Sequence, residues 1–170
     1  RTRPTYYPGG ENMASDQSGL VTTFLEEAGE LVSDFEDALL QLETTPTDAE
    51  LLNRIFRCAH TLKGNSGLLG FDGITVFTHQ LENVLVQLRK GALVSTSELV
   101  NVLLESTDVV KALLADVTSG RAEPSDTDKV RSDAVIVKLK AFSQSASKAP
   151  PVIKESAKEK KERRSSIPLG

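Results

Sequence analysis

The stretch ELLNRIFRCAHTLKGNSGLLGF, Glu50 to Phe71, decides how the chain folds. Its apolar residues Leu51, Leu52, Ile55, Phe56, Ala59, Leu62 and Leu69 recur at steps of three and four. That is the period of an amphipathic helix. Thr47 and Glu50 form a capping box ahead of the run. Gly70 stands where a helix of this kind ends. A helix apolar along one stripe must bury that stripe against other elements, so the rest of the chain has to supply them.

It supplies four more helical segments and no convincing strand. Upstream, Leu20 to Leu42 repeats the pattern through Phe24, Ala28, Leu31, Val32, Phe35, Ala38 and Leu39. The stretch TTPT, Thr44 to Thr47, breaks it, because Pro46 disfavours helix in the residue before it. Downstream, Asp72 to Lys90 carries Val76, Phe77, Leu81, Val84, Leu85 and Leu88 and ends at Gly91. A second capping box, Ser95 and Glu98, opens a segment with Leu99, Val102, Leu103, Val109, Val110, Leu113, Leu114 and Val117, which stops at Gly120. A fifth segment, Ser125 to Ser145, starts weakly at Ser125 and Asp128 and carries Val130, Ala134, Val135, Val137, Leu139 and Phe142. Long amphipathic segments joined by short loops predict an all-α, up-down-up-down four-helix bundle with a fifth C-terminal helix. No internal repeat suggests a solenoid.

Composition narrows the classes. At 170 residues, the chain is long enough for one domain and a tail. Aromatic residues make up 5% and Trp is absent, so the core must be aliphatic and Phe. The single cysteine, Cys58, excludes an internal disulfide and fits a reducing, cytoplasmic setting. No apolar run is long enough to cross a membrane. Residues 148–170 hold seven Lys/Arg against three Glu, so the body of the chain is more acidic than the net charge of −4 implies. An acidic body argues against nucleic-acid binding. A Lys/Glu/Ser/Pro tail over 148–170, entered through Pro150 and Pro151, reads as a solvated linker. Residues 1–17 read as a flexible extension with Met13 as a plausible start, leaving 18–147 as the folded domain.

Within Glu50–Phe71, His60 lies roughly 120° from the centre of the apolar stripe, off the core face. Lys63 and Gly64 follow one turn on, and Gly67 one turn beyond. Glycine within a helix costs about 1 kcal/mol relative to alanine, so these glycines serve either close helix packing or access for something large approaching His60. An imidazole flanked by an ammonium and bare backbone suits a histidine that receives a phosphoryl group. The next segment offers His79 and Glu82 on one face. A carboxylate accepting one imidazole N–H would fix the tautomer and free the other nitrogen to attack, and Glu82 is the candidate. A metal site built from His60, His79 and Glu82 is disfavoured by Lys63 beside it. A nucleophilic Cys58–His60 pair is disfavoured because residues two apart on a helix do not face each other.

The residues FRCAHTLKGNSGLLGF (Phe56 to Phe71) and THQLEN (Thr78 to Asn83) carry a resemblance to the histidine-phosphotransfer (HPt) domain at the N-terminus of CheA-type chemotaxis histidine kinases. The first segment, FLEEAGELVSDFEDALLQLE, looks like that family's first helix. The resemblance covers about residues 18–120 and extends to the fifth segment. It implies that His60 is the phosphoacceptor and that Glu82 orients its ring. Lys63 and His79 would complete a polar cluster, and Gly64 would keep the approach open. It leaves His79 free to be either a member of that cluster or a structural residue. It implies a partner kinase domain carrying ATP–Mg as the phosphoryl source, and a CheY-like or CheB-like response regulator as acceptor. The chain itself would bind no cofactor or metal, would be monomeric when isolated, and would not be an enzyme alone, since it carries no ATP-binding motif. The alternative is a free-standing phosphorelay intermediate between receiver domains.

Overall fold

A computed structural model describes the backbone of residues 10–148 and the side chains of 17–145. Five helices follow one another: α1 (Gly10–Thr44), α2 (Ala49–Leu68), α3 (Asp72–Arg89), α4 (Ser97–Thr118) and α5 (Asp126–Lys148). Among the described residues there is no strand. Each of α1 to α4 packs on the next, and α4 closes back onto α1, which is a four-helix bundle. The fifth helix lies against α3 and α4. The short connections turn each helix back on its predecessor.

The core is the sum of the apolar stripes. Phe35, Leu39 and Leu42 from α1, Ile55 and Leu62 from α2, Phe77, Val84 and Leu88 from α3, and Leu99, Leu103 and Leu113 from α4 are all buried. Fully burying a side chain of this size contributes about 1.5–3 kcal/mol, so this stripe-to-stripe packing dominates the stability of the bundle. Exposed pairs such as Lys111–Glu36 and Lys138–Glu105 contribute about 0–1 kcal/mol each.

Two helix starts are displaced by one residue from the expected capping boxes. At α2 the cap is Asp48, not Thr47: its carboxylate accepts the N–H groups of Glu50 at 2.9 Å and Leu51 at 3.1 Å. A carboxylate takes both donors and complements the positive helix end, which a threonine hydroxyl does less well. At α4 the cap is Thr96, not Ser95, through an N–H bond from Leu99. The stops at Gly70, Gly91 and Gly120 stand as expected, each at positive φ just past α2, α3 and α4, a conformation that glycine adopts without steric cost.

The first helix begins at Gly10, upstream of Leu20. Apolar periodicity could not reveal that stretch, because Gly10–Gly19 carries polar and small residues without a stripe. Residues 1–9 of the expected extension and 149–170 of the expected tail lie outside the described residues. Among the described apolar residues of α5 only Val135 and Leu139 are buried, with Ile136 and Phe142 partly so. Val130 and Val137, expected on the packing face, are 71% and 67% exposed, since α5 meets the bundle along one narrow line of residues.

The α4–α5 connection is held by buried Asp116, which accepts the Ser125 N–H at 2.8 Å and a bond from Arg121. The Ser125 N–H, helped by Arg121, holds the Asp116 carboxyl below the usual carboxylate range against the opposing effect of burial. This loop also brings Pro124 against Gly73 near the start of α3, so closely that a Cβ at Gly73 would collide with the proline ring.

Candidate functional site

The site is built on the facing flanks of α2 and α3. His60 projects from α2 with 60% of its side chain exposed, and Glu82 comes from α3 with 11% exposed. His60 Nδ1 and Glu82 Oε1 are 2.8 Å apart. A carboxylate can only accept here, so Nδ1 carries the proton and Nε2, on the far side of the ring, keeps its lone pair. The other Glu82 oxygen, Oε2, forms an ion pair with Lys63 Nζ. Burial pushes the Glu82 carboxyl up, but the bonds from Lys63 and His60 outweigh it and hold the group below its usual range. Glu82 is therefore an anion at neutral pH, shared between an imidazole and an ammonium.

Three of the five expected residues thus come together: His60, Glu82 and Lys63. Lys63 does not stand free to meet an incoming group; its ammonium is spent on Glu82. Gly64 lies beside them, and a Cβ there would meet nothing within 4 Å. Helix packing therefore gives no reason for this glycine, and an open approach to His60 does. Gly67 differs, because a Cβ there would touch Thr75 at ordinary contact distance. His79 is exposed and makes no hydrogen bond or ion pair with the described residues. It sits one turn before Glu82 on α3 but outside the bonded cluster.

Two supports were not apparent from the sequence. Ser66, fully buried, bonds Lys63 O at 3.0 Å and Thr75 Oγ1 at 2.9 Å, tying α2 to α3 one turn beyond the site. Nothing in the sequence spacing singles out Ser66; only the contact with Thr75 reveals it. The second is a stack. Phe56 lies against His60 with ring centroids 5.6 Å apart and planes 20° apart. Arg89 sits over the Phe56 ring at 4.0 Å. The i, i+4 spacing of Phe56 and His60 was a legible signal, but Phe56 was assigned to the apolar stripe.

Behind the site, Asp34 on α1 accepts from Arg54 Nε at 2.9 Å and from Cys58 Sγ at 3.3 Å. Burial and then the adjacent Asp34 push the Cys58 thiol up to about 12, so this cysteine is a core residue and not a nucleophile. Among the described residues, no three or more His, Cys, Asp and Glu converge as a metal site would require. No described helix is long and apolar enough to cross a membrane.

Known proteins resemble this chain in sequence and fold. The Hpt domain family matches residues 19–119. The chain is 36% identical over 146 residues to the chemotaxis protein CheA of Klebsiella aerogenes, a match covering 85% of this chain and 22% of that protein. It is 41% identical over 113 residues to the sensor histidine kinase CheAY of Helicobacter pylori, covering 66% of this chain and 14% of that protein. It therefore spans about a fifth or less of the length of these relatives. Among solved structures, the histidine phosphotransfer domain of CheA superposes with a TM-score of 0.58 at 33% identity, covering 67% of this chain and 86% of that one. The phosphorylated P1 domain of CheA3 in complex with CheY6 from R. sphaeroides shares the fold with a TM-score of 0.65 at 23% identity, covering 73% of this chain and 98% of that one. By family match, sequence identity and fold together, this chain belongs to the Hpt domain family.

Proposed function

We propose that this chain is the phosphoryl carrier of a CheA-type chemosensory kinase, with His60 as the phosphoacceptor. The observation that carries this reading is the His60–Glu82 bond at 2.8 Å on an exposed imidazole, in a helix opened by Gly64. Neutral His60 presents its Nε2 lone pair to the γ-phosphorus of ATP held by the kinase domain. The Nε2–P bond forms as the bond from phosphorus to the β,γ-bridging oxygen breaks, and ADP leaves with that electron pair. The ring becomes positive as it donates, and Glu82 stabilises that charge while keeping Nδ1–H in place. Lys63 offsets the Glu82 charge, so the carboxylate repels the incoming phosphoryl group less. In the second transfer an aspartate oxygen of a response regulator attacks phosphorus, the N–P bond breaks, and its electron pair returns to Nε2.

The chain alone is a substrate and carrier in this reading. ATP and Mg belong to the kinase domain, and the acceptor is a CheY-like or CheB-like receiver in a bacterial cytoplasm. One relative named above, CheAY of Helicobacter pylori, is a sensor histidine kinase, which favours ATP as the phosphoryl source over a donor receiver in a free-standing relay. His79, outside the bonded cluster, is assigned at most a role at the rim. The test is to incubate the chain with a CheA-type kinase domain and γ-labelled ATP, beside His60→Gln. Label on the wild-type chain alone, lost in acid and stable in base, supports the reading. Label that persists in His60→Gln contradicts it.

A further inference from the structure

The bond from Nδ1 to Glu82 fixes one point of the His60 imidazole. It does not fix the ring's plane, and with 60% of the side chain exposed, solvent leaves that plane free. The Nε2 lone pair lies in the ring plane, so tilting the ring swings it away from an incoming phosphorus. In-line displacement tolerates little such error.

Phe56, one turn earlier on α2, supplies the missing restraint. Its ring lies nearly parallel to the imidazole, 20° off, with centroids 5.6 Å apart. Phe56 is only half-buried, and a ring on a helix surface would wander among rotamers unless something held it. Arg89 lies over that ring at 4.0 Å, a cation on an aromatic face. Arg89 and Glu82 are seven residues, two turns, apart on α3. Phe56, His60 and Lys63 line one flank of α2. The same two helices thus fix the ring's point and its plane.

We propose that Phe56 and Arg89 are positioning residues for phosphoryl transfer: Arg89 holds the Phe56 ring, and Phe56 holds the His60 plane so that Nε2 points at the incoming phosphoryl group. The inference rests on His60 being the phosphoacceptor. Neither residue touches the reacting atoms, and Arg89 acts only through Phe56.

The test measures labelling of the full chain by a CheA-type kinase domain and ATP, at varied chain concentration, for Phe56→Leu, Phe56→Tyr, Arg89→Gln and the double variant Phe56→Leu/Arg89→Gln. Thermal melts establish that each is folded, and Phe56→Met substitutes if the leucine variant is not. Phe56→Leu should lower the saturating rate about tenfold with an unchanged half-saturating concentration, a misalignment effect and not a binding one. Phe56→Tyr, which keeps the ring, should stay within about twofold of wild type. Arg89→Gln should fall between them, and the double variant should be no slower than Phe56→Leu alone, as for residues acting in series. Wild-type labelling that Phe56→Leu leaves unchanged overturns this inference alone. So do Arg89 and Phe56 effects that simply multiply. A wild-type chain that takes no label overturns the phosphoacceptor reading, and this inference with it.

Discussion

His60 and Glu82, 22 positions apart in sequence, meet at 2.8 Å across the α2–α3 interface, and the geometry leaves Nε2 as the imidazole's free nitrogen. Removing the charge of Glu82 should therefore slow phosphorylation without abolishing it. Glu82→Gln retains an acceptor but loses the anion that stabilises the charged ring, and Glu82→Ala also strands Lys63. Labelling rates about 10-fold down for the first and 10²-fold or more for the second are expected, from the scale of orientation and acid–base effects. The check is initial-rate labelling at saturating kinase domain.

Gly64 and Gly73 should respond oppositely to alanine. Gly64 has open space where a Cβ would go, so Gly64→Ala should stabilise the helix by about 0.5–1 kcal/mol. Gly64→Leu should fold but obstruct transfer to and from His60. Gly73→Ala meets the Pro124 ring and should destabilise by about 1–3 kcal/mol, as overpacking does. Thermal melts of the three variants, with labelling rates for the Gly64 pair, test both statements.

Acid should remove a contribution that Glu82 makes. Its carboxyl is held below the usual range in the fold by Lys63 and His60, against burial. A depressed folded pKa stabilises the protein above the unfolded value of about 4.3 and loses that contribution as pH falls through the folded value. The stability difference between wild type and Glu82→Gln should shrink as pH falls below about 4. Urea unfolding across that range measures it.

Cys58, with its thiol pushed up to about 12 by burial and by Asp34, should resist alkylation at pH 8 in the native chain and react readily in urea, because the thiolate is the reactive form. A time course of iodoacetamide labelling followed by mass spectrometry checks this.

The bundle was legible because all four principal helices carry stripes of apolar residues at helical spacing, with glycines 70, 91 and 120 marking three of the ends. Helix starts were off by one because Thr47–Asp48 and Ser95–Thr96 each offer two adjacent caps, and only geometry chooses between them. The start of α1 and the packing face of α5 were hidden for opposite reasons: Gly10–Gly19 has no stripe to read, and α5 has more apolar residues than it buries. At the site, His60, Lys63 and Glu82 were readable as residue types in helical register. The Lys63–Glu82 pairing, the isolation of His79, the Ser66–Thr75 tie and the Arg89–Phe56–His60 stack depend on how α2 and α3 are rotated against each other, which spacing within one helix does not specify.

With Nδ1 committed to Glu82, Nε2 of His60 is the atom expected to accept the phosphoryl group. Phosphorus–nitrogen correlation NMR on the chain phosphorylated by a CheA-type kinase domain tests it most directly. The expected result is a single phosphohistidine at His60, bonded through Nε2, with Nδ1 still protonated. Phosphorylation through Nδ1, or at His79 in place of His60, would contradict it.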